Sequence, residues 1–443
     1  MALTSATETT LATALADFKE FMDQDKVLDL IWSNNPVLAL MARNPKAAGA
    51  YIDTTVKYGG TQGIVLGGSA SAYTNAVNNQ SPEQYAVFHE PMAFLYDLGT
   101  IENSAIRASR NREGGFEEIV QGAMRSAIKN CANEVSRAMF SAGTASIGQI
   151  TALSVNSDGS ANVTLASSLS YQNFEYDMTL DVTATDGSAP LGSPTTAPVV
   201  EVDAAAGILV LSAPSTGSWG SGSLVVGVFL IRDGNYNTVT PGNNISTQQG
   251  QVAFSPMAFE GIPAFIPSYA YRQAGGLKNQ FLNVNRSVDG TRLGGLGLNG
   301  SNMQIIDALI YGMEQLSIYS DGPDVVVVNP NTHNAILQAL QTNRLYTDVI
   351  VNAEIAFKAV TIEGGPKPLK VIRDRHVQPK QVHFLNMASW ELASMGEAIA
   401  QMDFAGLPFL PLANLDANQV KAGGYLNVRC LSPRDNATMS VNV

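Results

Sequence analysis

A long stretch of this sequence carries no positive charge. Between Arg137 and Arg232 the sequence contains no Lys or Arg but contains seven acidic residues. In this stretch, short segments with alternating apolar residues are separated by turn sequences such as "NSDGS" and "TDGS", which is typical of successive short β-strands. The segments are "ITALSV", "ANVTLA", "MTLDVTA", "PVVEVD", "GILVLSA" and "SLVVGVFLI". They predict a small all-β barrel or sandwich at residues 145–250, inserted into a different kind of sequence.

A long helix precedes this insertion, in "GGFEEIVQGAMRSAIKNCANEVSRAMFSAG". Gly114 and Gly115 come before it, and Glu117 and Glu118 lie in its first turn, where the helix dipole favours acidic side chains. The predicted apolar face consists of Phe116, Val120, Ala123, Ala127, Cys131, Val135 and Ala138. Such a helix would be roughly 40 Å long, so we expect it to be a structural spine.

Two further elements are predicted before the spine. Between Thr9 and Trp32, apolar residues recur at helical spacing, which indicates an amphipathic helix that needs a partner surface. Next, a stretch rich in Gly, Ser, Asn and Gln is flanked by the alternating segments "AYIDTTVKY" and "YAVFHEPMAFLYDL". We predict a long extended hairpin with too few apolar residues to pack on itself.

Mixed sequence follows the insertion. The segments "AFEGIPAFIPSYA" and "KNQFLNVNRSV" are predicted strands, and "SNMQIIDALIYGMEQLSIY" is a predicted helix. In "VVVVNPNTHNAIL", Pro330 ends a buried strand because it donates no backbone hydrogen bond, and Asn331 or Thr332 can cap the helix that follows. The segments "LKVIRD", "QVHFLN", "GGYLNVRCL" and "ATMSVNV" are predicted strands, of which the last two form a terminal hairpin across "SPRDN". This mixture predicts an α+β or α/β domain.

The composition indicates a protein that assembles. The chain of 443 residues is 45% hydrophobic but only 14% charged, against roughly 25% in soluble globular proteins, so we expect much of its surface to be neutral polar or buried against other subunits. Its formal charge of −12, without a cluster of Lys and Arg, argues against tight or sequence-specific binding of nucleic acid.

Its first residues do not resemble a secretory signal, and no segment approaches the ~20 apolar residues of a membrane helix. We therefore expect a protein made in the cytoplasm and absent from membranes.

One motif suggests a cofactor. "GLGLNG", from Gly295 to Gly300, fits the GxGxxG pattern of dinucleotide-binding loops, and Asp321 follows about 20 residues later. That fingerprint requires a buried strand directly before the glycines, whereas "NVNRSVDGTRLG" is polar. We therefore interpret the motif as a mobile glycine loop.

The titratable residues do not form a recognisable catalytic or metal-binding pattern. His89 is followed by Glu90, but "HEPMA" lacks the second histidine of HExxH, and neither the histidines nor the two cysteines have zinc-ligand spacing. His333 at a helix start has no neighbouring nucleophile or carboxylate in sequence, so a polar first-turn residue is the simpler interpretation. We predict no catalytic, cofactor-binding or metal-binding residues, no cofactor, and a protein that is not an enzyme. Cys131 and Cys430 do not form a disulfide framework.

The order of these elements resembles the major capsid protein of tailed bacteriophages, with the Hong Kong 97 type of fold. That order is an amphipathic arm, a long extended hairpin, a spine helix and a mixed domain with returning strands. The segments "FEGIPAFIPS", "DVVVVNPNTHNAILQALQTNRLY" and "PLKVIRDRHVQPKQVHFLNMASW" resemble, in turn, that family's strand after the spine, its axial-domain strand and helix, and its late paired strands. The resemblance covers nearly the whole chain except the β insertion.

The resemblance implies an α+β Hong Kong 97-like capsid fold with an added β domain. Its parts would be an N-terminal arm at 1–45, an extended loop at 46–105, the spine helix of a peripheral domain at 106–144, the β insertion at 145–250, peripheral strands at 251–299, an axial domain at 300–425 and C-terminal strands at 426–443. The arm and the loop would contact neighbouring subunits, and the axial domain would meet its copies at hexamer and pentamer centres. The β insertion would lie on the outer surface.

The implied function is a shell that encloses double-stranded DNA in a virion, assembled in the host cytoplasm. The implied partners are further copies of the chain, a separate scaffolding protein, a portal, a decoration or cement protein, and packaged DNA bound without sequence specificity. Lys57 is the only lysine between residues 50 and 100 of the extended loop, and because no matching acceptor or catalytic acid is identifiable by motif, we predict no covalent cross-link.

Three alternatives remain open from the sequence. An encapsulin-like compartment has the same fold but encloses a protein cargo. An α/β enzyme with a β accessory domain would require convergent titratable groups, and His and Cys are scarce here. An adhesin would suit the β insertion, but the missing secretory signal and the mixed sequence on both sides of the insertion argue against it.

Overall fold

The computed structural model describes residues 35–49, 51–67, 71–103, 115–143, 146–184, 191, 196–213, 224–233, 260–343, 348–351, 357–362, 367–402, 410–412 and 415–442. The amphipathic helix predicted between Thr9 and Trp32 lies outside these residues, so it stays a prediction. Within the described part of the chain, no helix is both long enough and apolar enough to span a membrane.

The described helices and strands are numbered in chain order. The helices are α1 (Pro36–Leu40), α2 (Ser71–Asn78), α3 (Gly115–Met139), α4 (Ile262–Phe265), α5 (Tyr269–Gln273), α6 (Gly290–Gly294), α7 (Ile305–Ser317) and α8 (Pro330–Asn343). The strands are β1 (Ala42–Asn44), β2 (Tyr51–Gly59), β3 (Gln84–Pro91), β4 (Ala93–Glu102), β5 (Gly148–Val155), β6 (Ala161–Leu165), β7 (Thr179–Thr183), β8 (Thr196–Asp203), β9 (Ile208–Leu211), β10 (Phe229–Arg232), β11 (Gln280–Phe281), β12 (Val284–Asn285), β13 (Leu296–Gly300), β14 (Val325–Val328), β15 (Asp348–Val351), β16 (Phe357–Ile362), β17 (Leu369–Arg373), β18 (Gln381–Leu385), β19 (Trp390–Ser394), β20 (Ala400–Gln401), β21 (Leu410–Pro411), β22 (Ala417–Cys430) and β23 (Ala437–Val441).

The predicted spine is present as α3, which has 25 residues. Its buried side chains recur every three to four residues, as expected for one face of an amphipathic helix. They are Met124, Ala127, Ile128, Cys131, Ala132, Val135, Ala138 and Met139. This face packs against a six-stranded sheet in which β22 is paired with β4 on one side and with β19, β20 and β21 on the other.

The predicted extended hairpin is also present. Its arms, β2 and β3, pair antiparallel from Tyr51 opposite Pro91 to Gly59 opposite Gln84, and the helix α2 lies in the connection between them. At the root of the hairpin, Phe88 is fully buried and its ring lies tilted against that of Phe265, at a ring-centroid distance of 6.4 Å. The predicted segment "YAVFHEPMAFLYDL" forms two strands. Its first part is β3 of the hairpin, and its second part, β4, pairs with β22 along ten residues.

The predicted β insertion forms a closed barrel with the strand order β10-β5-β6-β9-β8-β7. Alternate residues face inward, as in a filled small barrel, and form an apolar core of their own that includes Ile150, Val163, Leu180, Leu209 and Leu230. The chain enters and leaves the barrel at neighbouring points, because the amide of Ile147 donates to the carbonyl of Leu230 at 2.9 Å.

A seven-stranded mixed sheet has the order β13-β23-β18-β14-β17-β16-β15. All four valines of β14 are buried. Val325 and Val327 face the core that contains α3, whereas Val326 and Val328 face the core that contains α7. The uninterrupted valine run therefore reflects a strand that is buried on both faces. The expected α+β fold, with a spine helix, an extended hairpin and an inserted β-barrel, is confirmed.

Two sequence predictions in this part of the chain are wrong. The segment "AFEGIPAFIPSYA" was predicted as a strand, but its described residues form the short helices α4 and α5. Pro263 lies in the first turn of α4, where its missing amide hydrogen is not needed. The side chain of Ser268 caps α5 by accepting from the amide of Tyr271.

The predicted terminal hairpin is the second error, because β22 and β23 belong to different sheets. Between them, the buried side chain of Asn436 accepts from Trp390 Nε1 at 2.8 Å and from the amide of Asn386 at 2.9 Å, and donates to the carbonyl of Ser432 at 2.9 Å. These bonds redirect the chain from one sheet to the other.

Candidate functional site

The connection between the two arms of the hairpin exposes apolar side chains. Ile64 is 91%, Leu66 104% and Tyr73 78% exposed, and α2 has no buried residue. We call Ile64, Leu66, Tyr73 and Val77 the hairpin tip. Exposure of several large apolar side chains in one segment is unfavourable in water and typical of a surface that binds another molecule.

A second exposed surface lies on the six-stranded sheet. One face of β4 packs toward the spine helix, while alternate residues on the other face are exposed, namely Phe94 at 67%, Tyr96 at 47% and Leu98 at 52%. Tyr425 on β22 lies beside them, with its ring centroid 5.3 Å from that of Phe94 in an edge-to-face arrangement. We call Phe94, Tyr96, Leu98 and Tyr425 the aromatic face.

Polar contacts fix the geometry of the aromatic face. The hydroxyl of Tyr96 donates to the hydroxyl of Tyr425 at 3.1 Å, and this hydrogen bond raises the pKa of Tyr96 to about 12. Lys421 Nζ lies 4.8 Å from the centre of the Tyr96 ring, within the range of a cation–π contact. The face is therefore a pre-organised aromatic surface, a type enriched at protein interfaces.

A buried carboxyl group lies at the root of the hairpin. Glu90 is 0% exposed, Thr54 Oγ1 donates to its Oε2 at 3.0 Å, and its Oε1 has no hydrogen-bond partner. Burial raises its pKa to about 8, although the bond from Thr54 and the positive charge of Arg429 act in the opposite direction. At neutral pH this carboxyl is therefore mostly protonated.

The four histidines have separate surroundings. His89 Nδ1 lies 2.5 Å from Asp53 Oδ1, on the hairpin. His383 is fully buried beside Thr438 Oγ1 at 3.0 Å, and burial lowers its pKa to about 4. His333 lies in the first turn of α8, and burial, followed by the charge of Arg373, lowers its pKa.

His376 takes part in a cluster that sequence reasoning missed, because Ser136 lies 240 residues away from it in the sequence. Its Nδ1 is 3.1 Å from Ser136 Oγ and 3.2 Å from Asp374 Oδ1. Nucleophilic catalysis requires the serine and the carboxylate to contact different ring nitrogens, whereas here both contact Nδ1. Ser136 is also 0% exposed. The cluster joins the spine helix to the loop after β17 and does not present a nucleophile.

Ion pairs and a hydrogen bond connect the spine helix to the barrel. Glu134 forms ion pairs with Arg137 and with Arg232, the latter at 3.9 Å. Burial opposes ionisation of Glu134, but the two arginines keep its pKa below the usual value. Arg137 also donates to the carbonyl of Ser146 at 2.9 Å. The barrel is thus tied to the helix where the chain enters it and where the chain leaves it.

The glycine motif was predicted to be a mobile loop, but it forms an edge strand. Residues Leu296–Gly300 form β13, which pairs in parallel with β23. Gly295, just before it, has φ +66°, and a side chain there would collide with the carbonyls of Pro433 and Asn436. Glycine at this position allows the backbone to lie close to the segment between β22 and β23, and this role does not involve a phosphate.

Lys57 lies on β2 and pairs with Glu83 across the hairpin. The hydrogen bond to Glu83 raises the pKa of Lys57. Among the residues that the structure describes, no three His, Cys, Asp or Glu side chains are grouped as a metal site would require.

Comparison with known proteins gives matches among solved structures. No family model matches the sequence, and neither does any curated protein. A structure of the cyanophage A-1(L) capsid is 11% identical, covering 92% of this chain and 93% of that chain, with a TM-score of 0.49. A virus-like particle from Pyrococcus furiosus is 8% identical, with coverages of 94% and 96% and a TM-score of 0.35. A structure from Mycobacterium phage Adephagia is 8% identical, with coverages of 92% and 90% and a TM-score of 0.40. All three TM-scores lie below 0.5.

Proposed function

We propose that the chain is the major capsid protein of a tailed bacteriophage, which self-assembles through hexamers and pentamers into an icosahedral shell around double-stranded DNA. The observation that carries this proposal is the pair of exposed apolar surfaces, the hairpin tip and the aromatic face. Both are left without an apolar partner among the described residues, and a second copy of the chain would bury both. The sequence resemblance to capsid proteins supports the same function.

The length of the hairpin supports contact between copies. The nine residues of β2 span about 30 Å, and the tip follows them in the connection, whose residues are not part of the core that contains Val56 and Phe88. A tip on one copy that binds the aromatic face of the next is a head-to-tail contact, and such contacts close into rings when the rotation between subunits allows it. Each contact adds modest affinity, and many contacts per subunit together stabilise a shell.

The remaining parts are assigned by the same proposal. The seven-stranded sheet with α7 and α8 forms the part that meets its copies at ring centres, and the barrel lies on the outer surface. The formal charge of −12 suits a container that does not bind its DNA tightly. We propose a scaffolding protein, a portal and a decoration protein as partners, assembly in the host cytoplasm, and the virion as the final location.

The role is structural and not enzymatic. Among the described residues, the arrangement most similar to a catalytic one is that of Ser136, His376 and Asp374. Its serine is buried, and it contacts the same ring nitrogen of His376 as the aspartate does. Its contacts connect the spine helix to a loop of the seven-stranded sheet. This connection supports a role in rigidity.

A compartment shell that encloses protein cargo is the second candidate, because the same two surfaces would serve it equally. Nuclease-protected DNA inside native particles would support the capsid, and an enclosed protein without DNA would support the compartment.

The test is assembly of the full chain, expressed alone and together with its candidate scaffolding protein. Particle mass is measured by light scattering, and particles are imaged by negative-stain electron microscopy. We expect closed shells or capsomer rings for the wild type, and small oligomers for Ile64→Asp/Leu66→Asp, because two charges on the tip cannot be buried without a large desolvation cost.

The matched control is Val226→Asp on the barrel, where the side chain is 62% exposed but lies outside both surfaces. It should assemble like the wild type. A wild-type chain that stays monomeric under both conditions, or tip variants that assemble normally, would overturn the proposal.

A further inference from the structure

The root of the hairpin is the end of β3 around Glu90, and hydrogen bonds join it to the body of the chain. The side chain of Asn427 on β22 donates to the carbonyl of Pro91. The amide of His89 donates to the carbonyl of Leu282 at 3.2 Å. These bonds hold the root in place, and the two paired strands of the hairpin connect it to the exposed tip.

Within this root, the carboxyl of Glu90 is buried with a single hydrogen bond. Its residue is 0% exposed, Thr54 on β2 donates to its Oε2 at 3.0 Å, and its Oε1 has no partner among the described residues. The Oδ1 atom of Asn427, whose amide group binds Pro91, is likewise buried without a partner there. An ionised carboxylate only accepts hydrogen bonds, whereas a protonated carboxyl also donates one. The root therefore offers an ionised Glu90 little compensation for the loss of water.

Five titratable residues on the surrounding strands act on Glu90 or lie beside it. They are Asp53, His89, Glu391, Arg429 and Cys430. Arg429 Nη2 lies 2.7 Å from Glu391 Oε2, and His89 Nδ1 lies 2.5 Å from Asp53 Oδ1. Both basic side chains thus already have an acidic partner. An ionised Glu90 would add a third carboxylate to a group with at most two cations.

We infer that Glu90 is a proton-dependent latch, which keeps the hairpin root closed while it is protonated and promotes opening of the root to water once it is ionised. Opening returns water to the carboxylate and breaks the contacts of Glu90 with Thr54. The latch is a property of the single chain, so it goes beyond the proposed assembly.

The direction of the pH dependence follows from the two states of the root. The pKa of Glu90 is about 8 in the closed root, because of burial, against 4.5 for an ordinary glutamate. Protonation therefore stabilises the closed root fully below about pH 4.5, and this stabilisation is lost as the pH rises through about 8. The equilibrium between closed and open root shifts toward opening by up to about tenfold per pH unit in this interval and stays constant above it.

The first experiment is hydrogen–deuterium exchange of the full-length chain, measured by mass spectrometry on peptides from β2 and β3. The wild type and Glu90→Gln are compared at several pH values between about 5 and 9. The chemical exchange rate changes equally with pH in both chains, so the ratio of their rates reports opening of the root. We expect this ratio, wild type over variant, to rise by roughly tenfold or more up to pH 8 and then to level off. A ratio that does not change with pH would overturn the inference.

The matched control is His89→Asn, which removes the neighbouring ion pair with Asp53 and leaves the Glu90 carboxyl in place. It should show the same rise relative to Glu90→Gln as the wild type does. Loss of the rise in His89→Asn would assign the pH response to the pair of His89 and Asp53, and would overturn the inference.

A second measurement does not depend on the folding of any variant. Exposed carboxyl groups are ionised at pH 7, so the infrared band of a protonated carboxyl at that pH reports a buried group. We expect the wild type to show this band at pH 7 and to lose it by about pH 9. Absence of the band at pH 7 would overturn the latch.

A link from the latch to particle formation rests on the proposed function. The tip binds the next copy in that proposal, so the yield of wild-type particles should fall between about pH 6 and pH 9 more than that of Glu90→Gln. Equal yields, with a pH-dependent exchange ratio, would overturn this link and support the latch itself. A chain that forms no particles at any pH would overturn the proposed function, while the exchange ratio would still decide whether the latch exists.

Discussion

Glu90 is the residue whose surroundings most clearly link chemistry to the position of the hairpin. It follows His89 near the end of β3, where the hairpin enters the core, and its Oε1 is buried without a partner. Asp53, Glu391 and Arg429 are the charged groups that act on it, together with the hydrogen bond from Thr54. Because burial raises its pKa to about 8, the folded chain retains a proton there that the unfolded chain loses above about pH 4.5.

This proton gives a pH-dependent stability with a definite sign. The stabilisation by protonated Glu90 is fully present below about pH 4.5 and is lost as the pH rises through about 8. We therefore expect Glu90→Gln to match the wild type near pH 4.5 and to be more stable at pH 9 by on the order of a few kcal/mol. Urea unfolding of both chains across this pH range measures the difference. The prediction fails if the difference in free energy of unfolding does not change with pH.

The sequence did not reveal this residue. "YAVFHEPMAF" alternates like a strand with one exposed face, and a glutamate in such a strand is usually solvated. Its burial depends on β22 and on the hairpin partner β2, which are distant in sequence. In contrast, the position of His333 in the first turn of a helix was predicted correctly, because Pro330 and the preceding valine run are local signals.

Among the elements, α7 shows how closely the helices approach the seven-stranded sheet. Gly312 lies on its buried face, between Leu309 and Met313, and a Cβ there would collide with the ring of Phe384 on β18. Glycine weakens an isolated helix, so its presence here reflects close packing. This glycine permits the helix to lie directly against the aromatic ring.

We expect Gly312→Val to destabilise the chain by roughly 1–3 kcal/mol or more, because overpacking forces the helix away from Phe384. Glu314→Val, at an exposed position of the same helix, introduces the same side chain without the collision and should have a small effect. The midpoints of urea unfolding compare the two. Equal midpoints would mean that the helix can shift without cost.

The long elements were predictable and the short ones were not. The periodicity of α3 and the alternation of the six barrel strands are signals within one continuous segment. The helices α4 and α5 have four and five residues, which is too short for a periodicity to be seen. The pairing of β22 and β23 with different sheets depends on Asn436 and its distant partners, so proximity in sequence suggested a hairpin that does not exist.

The barrel is a unit with a core of its own. Its entry and exit are joined by the hydrogen bond between Ile147 and Leu230. Its core residues form a group separate from those around α3 and α7. Polar contacts connect it to the rest of the chain, from Arg232 to Glu134 and from Gln172 to the carbonyl of Arg375 at 3.0 Å.

We expect replacement of residues 148–230 by a short Gly-Ser linker to leave the remaining chain folded, because the linker joins two points that already lie close together. Circular dichroism and limited proteolysis of the purified variant test this, with the full chain as the control. Loss of cooperative unfolding in the variant would show that the barrel is required for the fold of the other parts.

The low fraction of charged residues led us to expect a surface that is neutral polar or buried against other subunits, but it did not identify the exposed apolar residues. Alternation in "AFLYDL" shows that the two faces of β4 differ and does not show which face α3 covers. The hairpin tip was expected to be extended, and the helix α2 within it was not expected. Which side chains remain exposed is a property of the tertiary structure.

The separation of β22 and β23 has a consequence for protein synthesis. β22 is central to the six-stranded sheet, and β23 lies inside the seven-stranded sheet between β13 and β18. Neither sheet can close until residues 417–441 have left the ribosome, so nascent chains remain incompletely folded until then. Under the proposed assembly, a hairpin tip exposed on such a chain would meet few complete partners before whole subunits have been released.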